Sequence, residues 1–132
     1  MTAPDLAPAP LRVVVVDADE RTRDSLCGLL SIGDRCVVVG SASQPDQALA
    51  LVADKRPDVV IVDPRLPGLD GIKSFTTRVR AAAPGARIVL MGSFEANRVA
   101  PLPLGADGWI RKTFRPRELL DAVMAVAAAP PT

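Results

Sequence analysis

Several short runs of this chain contain only aliphatic, mostly β-branched residues: Val13-Val14-Val15-Val16, Val37-Val38-Val39, Val59-Val60-Ile61-Val62 and Ile88-Val89-Leu90-Met91, with a weaker Trp109-Ile110. A strand with one wet face alternates apolar and polar residues. These runs do not, so they suit strands covered on both faces, as in a parallel sheet. The stretches between them carry helical spacing. Leu26, Leu29 and Leu30 follow Asp19-Glu20, whose carboxylates suit the free N–H groups of a helix start. Ala48, Leu49, Leu51 and Val52 lead into Lys55-Arg56-Pro57, a C-terminal pattern. Ile72, Phe75, Val79 and Ala82-Ala83 stop at Pro84-Gly85, and Pro116, suited to a first helical turn, opens a stripe of Leu119, Leu120, Val123 and Val126. Strands alternating with helices, joined by right-handed crossovers, give an α/β fold with helices on both faces of one sheet.

The 132 residues fit one domain at about 100–200 residues per domain. Sixteen Lys and Arg against 15 Asp and Glu leave a net charge of +1, which argues against direct nucleic-acid binding by this domain. There is no histidine, which excludes an imidazole triad, histidine zinc ligation and a phosphohistidine on this chain. Cys27 and Cys36 lack the spacing of a metal or redox pair and read as small buried hydrophobes. No apolar run approaches the ~20 residues of a membrane span, and the N-terminus has no signal-peptide pattern. The expectation is a cytoplasmic domain that meets no membrane.

Residues 1–10, with Pro4, Pro8 and Pro10, read as a flexible tail, 11–128 as the folded domain, and 129–132 as a linker-like end. A helix is expected between Met91 and Trp109, but Pro101 and Pro103 fall inside it. An interior proline costs about 3 kcal/mol in a helix, so this element is expected to be short or irregular.

Ligands of open parallel sheets gather at the carboxyl ends of the strands. Asp17 and Asp19 follow the first apolar run, Asp63 the third, Gly92 and Ser93 the fourth, and Lys112 the fifth. Carboxylates and an ammonium converging on one edge suit a hard cation together with an anionic group.

Two blocks carry a family resemblance: Asp63-Pro64-Arg65-Leu66-Pro67-Gly68-Leu69-Asp70-Gly71 after an apolar strand, and Gly105-Ala106-Asp107-Gly108-Trp109-Ile110-Arg111-Lys112 downstream. They resemble the receiver domain of bacterial two-component response regulators, over roughly Leu11 to Ala128, and their wording is nearest to receivers that precede a helix-turn-helix DNA-binding domain. The resemblance implies a doubly wound, flavodoxin-like sheet of five parallel strands in order 2-1-3-4-5. It implies that Asp63 accepts a phosphoryl group from a partner histidine kinase, without independent turnover. It further implies that Asp17, Asp63 and the backbone carbonyl of Arg65 ligate Mg²⁺, that Lys112 neutralises phosphoryl charge, and that Trp109 holds the switch-aromatic position. A homodimer and a C-terminal DNA-binding output domain outside this chain are the other partners it implies.

The chain departs from the family pattern at two key positions. Where the family has adjacent acids after the first strand, this chain has Asp17-Ala18, with Asp19 next; Asp19 substitutes as a ligand only if the loop rotates, so Mg²⁺ binding is expected to be weak. Gly92 stands where the family has Ser or Thr, leaving Ser93 as the adjacent hydroxyl. These departures admit a second reading, an atypical receiver that serves as a phosphate-independent docking or dimerisation module. A remote third reading rests on Asp17-Ala18-Asp19, which resembles the first motif of haloacid-dehalogenase-type phosphatases, with Asp17 as nucleophile.

Overall fold

The computed structural model describes residues 9–68, 71–92 and 105–129. The elements are β1 (Leu11–Val16), α1 (Glu20–Leu30), β2 (Cys36–Ala42), α2 (Pro45–Lys55), β3 (Val59–Val62), α3 (Ile72–Ala82), β4 (Arg87–Gly92), β5 (Gly108–Arg111) and α4 (Pro116–Ala128). The strands form one parallel sheet in the order β2-β1-β3-β4-β5, as expected.

Successive residues of a strand point to opposite faces, and the apolar runs use both. Val14, Val16, Val60, Val62, Ile88 and Leu90 pack with Ala48 and Val52 of α2 and Phe75 and Val79 of α3. Val13, Val15, Val59, Ile61, Val89 and Met91 pack on the other face with Leu26 and Leu30 of α1 and Leu119, Leu120 and Val123 of α4. The continuous runs are therefore what a sheet sandwiched between two helix pairs requires. β2 departs from this: it is an edge strand, and Val37 is 43% exposed. Cys36 is buried but Cys27 only half-buried; both thiols are free, and burial pushes both pKa values up, away from thiolate reactivity.

The expected irregular element between Met91 and Trp109 lies outside the described residues, as do Ser93, nearly all of the N-terminal tail and the last three residues. Among the described residues, no helix is long and apolar enough to cross a membrane.

The approach to β5 is pinned by charge. Asp107, its side chain 4% exposed, accepts from the Ile88 backbone N–H at 2.8 Å and from Arg80 Nη2 at 2.8 Å. The same guanidinium donates to the Gly105 carbonyl. Arg80 therefore bridges α3 to the β4–β5 edge, whereas Arg78 on the same helix is exposed. Gly105 has φ +92°, a conformation L residues rarely adopt, and a Cβ there would collide with Thr76 Oγ1, itself bonded to the Lys73 carbonyl at 3.0 Å. Gly105→Ala is expected to destabilise the domain by about 1–3 kcal/mol, read as a lower urea midpoint at unchanged m-value.

Candidate functional site

Ladder hydrogen bonds continue one residue past the strand ends and set the site's backbone. The Asp17 N–H donates to Ala42 at 3.0 Å, the Asp63 N–H to Val16 at 3.2 Å, and the Lys112 N–H to Gly92 at 2.8 Å. Because Val16 pairs with Val62, Asp17 and Asp63 are neighbours at the sheet's carboxyl edge. Lys112 comes from β5 and reaches across the end of β4, where Gly92 carries no side chain. Its Nζ lies 2.9 Å from Asp17 Oδ2 and 2.9 Å from Asp63 Oδ2.

Each carboxylate also folds onto its own loop. Asp17 Oδ1 accepts from the Asp19 N–H at 2.9 Å, and Asp63 Oδ1 from the Arg65 N–H at 2.8 Å. The second of these turns brings the Arg65 side chain back over Asp63, with Nε 3.3 Å from Oδ1 and Nη2 3.2 Å from Oδ2. Asp17 and Asp63 are buried, Lys112 is largely so, and the Arg65 side chain is 72% exposed. A depression of about 480 Å³ opens over these groups, with Ala18, Asp19 and Pro67 on its wall.

The electrostatics follow from this packing. Burial works to raise the Asp63 pKa, but hydrogen bonds from Arg65 and Lys112, with the Lys112 charge, outweigh it and hold the carboxyl below its ordinary value. For Lys112, burial works to lower the pKa, and the bonds to Asp17 and Asp63 prevail and raise it. At neutral pH, Asp63 is a carboxylate and Lys112 an ammonium.

Asp17, Asp63 and Lys112, read from sequence as strand-end residues, thus come together. Asp19 borders the same depression, but its carboxylate accepts the Thr22 N–H at 3.0 Å and caps α1, and this bond is the main reason its pKa is lowered. Ala18 has no oxygen on its side chain to offer. Among the described residues, no group of three or more His, Cys, Asp and Glu side chains is arranged to hold a metal ion. The donor set does not fit a tightly held divalent cation: its two carboxylates already share Lys112, and Asp63 also bonds Arg65. The Arg65 side chain is the group at this site that sequence reasoning missed, because the residue was considered only for its carbonyl. The signal was available, since a long cation two residues past an Asp can fold back onto it.

Gly92 and Trp109 also meet. Trp109 pairs with Leu90, which makes Gly92 its diagonal neighbour on the face shared with α2 and α3. A Cβ at Gly92 would lie 2.8 Å from Trp109 Cζ2, so the indole fills the room a side chain would need. Its Nε1 is buried without a hydrogen-bond partner among the described residues.

Comparison with known proteins agrees with this architecture. The response regulator receiver domain family matches residues 13–124. The nitrate/nitrite response regulator NarL of Escherichia coli K12 is 30% identical over 90% of this chain and 56% of its own length. Response regulator MprA of Mycobacterium sp. KMS is 34% identical over 89% of this chain and 50% of its own length. The chain spans about half the length of these curated relatives. Among solved structures, the receiver domain of the NarL response regulator from Mycobacterium tuberculosis superposes with a TM-score of 0.75 at 29% identity, covering 93% of this chain and all of that one. The CheB response regulator domain of Thermotoga maritima, at a TM-score of 0.77 and 24% identity over 92% of this chain and 99% of its own, shares the fold. The family match runs through Asp17-Ala18-Asp19, making that stretch part of a receiver and not of a phosphatase motif. The parallel sheet, the strand-end carboxylates bridged by Lys112 and the match over 13–124 have one meaning: the chain belongs to the response regulator receiver domain family, the signal-transduction receivers of two-component systems.

Proposed function

We propose that Asp63 is the phosphoacceptor of this receiver and that its donor is a phosphohistidine on a partner kinase. The observation that carries the reading is Lys112 Nζ at 2.9 Å from both strand-end carboxylates, an ammonium already placed where phosphoryl charge would arrive. Asp63 is ionised, so a carboxylate oxygen attacks phosphorus without a general base, in keeping with a chain that has no histidine. The oxygen–phosphorus bond forms as the phosphorus–nitrogen bond breaks, and the electron pair stays on the departing imidazole nitrogen. Such transfer depends mainly on positioning and charge neutralisation, which Lys112 supplies. Asp63 suits the role better than Asp17. Part of its cover is an exposed arginine that can swing aside, whereas Asp17 is held by a backbone N–H and the largely buried lysine. Mg²⁺ binding is weak on this reading. The full-length relatives support a further part, a C-terminal DNA-binding output domain: one is named the transcriptional regulatory protein LiaR of Bacillus subtilis, at 29% identity over 92% of this chain and 58% of its own length. A homodimer of this chain belongs to the same reading.

The Gly92–Trp109 contact favours a second reading, in which the output face is preset and phosphorylation modulates it little. Gly92 itself offers a phosphoryl group no hydroxyl to draw in, and the indole already fills the adjacent space.

Incubation with phosphoramidate followed by intact-mass measurement separates the two readings. The acceptor reading expects one phosphoryl group per chain, absent in Asp63→Asn, and labelling slowed about 100-fold in Lys112→Met. A chain that never gains mass supports the phosphate-independent reading. Gly92→Ala is expected to push the indole outward, costing about 1–3 kcal/mol and red-shifting emission from the single tryptophan of the chain; unchanged emission would contradict the close contact.

The charge cluster also sets a pH profile. The Asp63 pKa is lowered on folding, so its contribution to stability is complete above the ordinary value of 3.8 and is lost as pH falls through the folded value. The Lys112 pKa is raised, so its contribution is complete below 10.5 and is lost as pH rises through the folded value. Thermal midpoints are expected to fall outside this window, with Asp63→Asn flattening the acid limb and Lys112→Met the alkaline one.

A further inference from the structure

We propose that the Arg65 guanidinium is the resident counter-cation of this pocket and holds the place in its charge balance that a divalent metal takes in a three-carboxylate site. The proposal rests on the reading of Asp63 as phosphoacceptor for its consequence in catalysis, though not for the placement of the cation.

The charges balance without a metal. Asp17 and Asp63 contribute two negative charges, and Lys112 and Arg65 two positive ones, all within one hydrogen-bonded cluster. Adding a divalent ion would leave this cluster doubly positive, with only the helix-capping Asp19 carboxylate on the pocket wall to offset it. The side-chain oxygen atoms that would ligate such an ion also have competitors. Ala18 offers none, the Asp19 carboxylate caps α1, and all four carboxylate oxygens of Asp17 and Asp63 already accept hydrogen bonds.

Arg65 is held in place by its own backbone. The turn closed by its N–H on Asp63 Oδ1 fixes the residue two positions beyond the carboxylate, and the side chain folds back so that Nε and Nη2 straddle the two Asp63 oxygens. A guanidinium presents five donors in a plane, and such a fork binds carboxylate and phosphoryl oxygens equally well. Its large exposure lets it move outward from Asp63 onto an arriving phosphoryl group while still facing the carboxylate. The sequence thus supplies the second cation of this pocket covalently, from the turn that follows Asp63.

Two measurements test this and separate it from the acceptor reading. Mn²⁺ binding is followed by water-proton relaxation in the wild type, Arg65→Ala, Arg65→Lys, and Arg65→Ala combined with Ala18→Asp. Removing the guanidinium charge is expected to tighten Mn²⁺ binding about tenfold, restoring the acid to tighten it further, and Arg65→Lys to behave like the wild type. Phosphoramidate labelling of the same proteins is then compared in EDTA and in Mg²⁺. The wild type is expected to label at similar rates in both, and Arg65→Ala to slow about tenfold in EDTA and to regain rate on adding Mg²⁺. Equal Mn²⁺ affinity in the wild type and Arg65→Ala overturns the proposal, and so does wild-type labelling that requires Mg²⁺. If no protein labels under either condition, the acceptor reading fails, and the Mn²⁺ comparison alone decides whether Arg65 is the resident cation.

Discussion

The ammonium of Lys112 makes one site out of three strand ends. Asp17 and Asp63 lie side by side because β1 and β3 are paired in register, and two carboxylates so placed repel each other. At an effective dielectric constant near 20, each contact between unit charges at about 4 Å is worth roughly 4 kcal/mol, so an ammonium 2.9 Å from both converts that repulsion into attraction. The arrangement depends on the sheet order. Lys112 is delivered from β5 across β4, and the strand it crosses ends in a residue without a side chain. The bond from its own N–H to the Gly92 carbonyl then fixes where the side chain begins.

Once that triangle exists, the absence of an acid at position 18 decides the rest of the electrostatics. A third carboxylate would leave the pocket negative and open to a divalent cation. With Ala18 there, two carboxylates face Lys112, and Arg65, folded back from the turn after Asp63, closes the balance. The same substitution frees Asp19 to act as a cap, since its carboxylate gains more from an orphan N–H at the start of α1 than from a crowded, already neutralised pocket. Local helix capping and pocket charge are therefore linked through three consecutive residues.

Much of this was legible in the sequence, and the failures have physical causes. The runs at 13–16, 59–62 and 88–91 announced central strands because nothing polar interrupts them, and the residues that end them announced the site. Val37-Val38-Val39 carried the same local signal but lies at the sheet edge, a fact of tertiary neighbourhood that composition does not encode. Asp19 was weighed as a metal ligand although its capping role was equally visible; the cap prevailed because it is a local interaction. The Arg80–Asp107 pair was not legible, because the two residues lie 27 apart and meet only once the sheet has formed. Gly92 and Trp109 each stood out as departures from the family pattern. That they are one packing event, a large ring seated where a side chain is missing, follows from the β4–β5 register and from nothing local.

That packing event bears on how signal could leave the site. Carrying a two-state equilibrium from 1:99 to 99:1 requires about 5.5 kcal/mol, and one hydrogen bond to a charged group contributes about 1.5–3 kcal/mol. Gly92 has no side chain to offer the phosphoryl group such a bond. A route that the described residues do provide runs through Lys112 into β5, the strand that also carries Trp109. The indole is already packed over Gly92, with its Nε1 buried and without a partner among the described residues. Because this contact is in place before any phosphoryl group arrives, a phosphoryl group acting through Lys112 would tilt this equilibrium by degrees and not throw it from one side to the other.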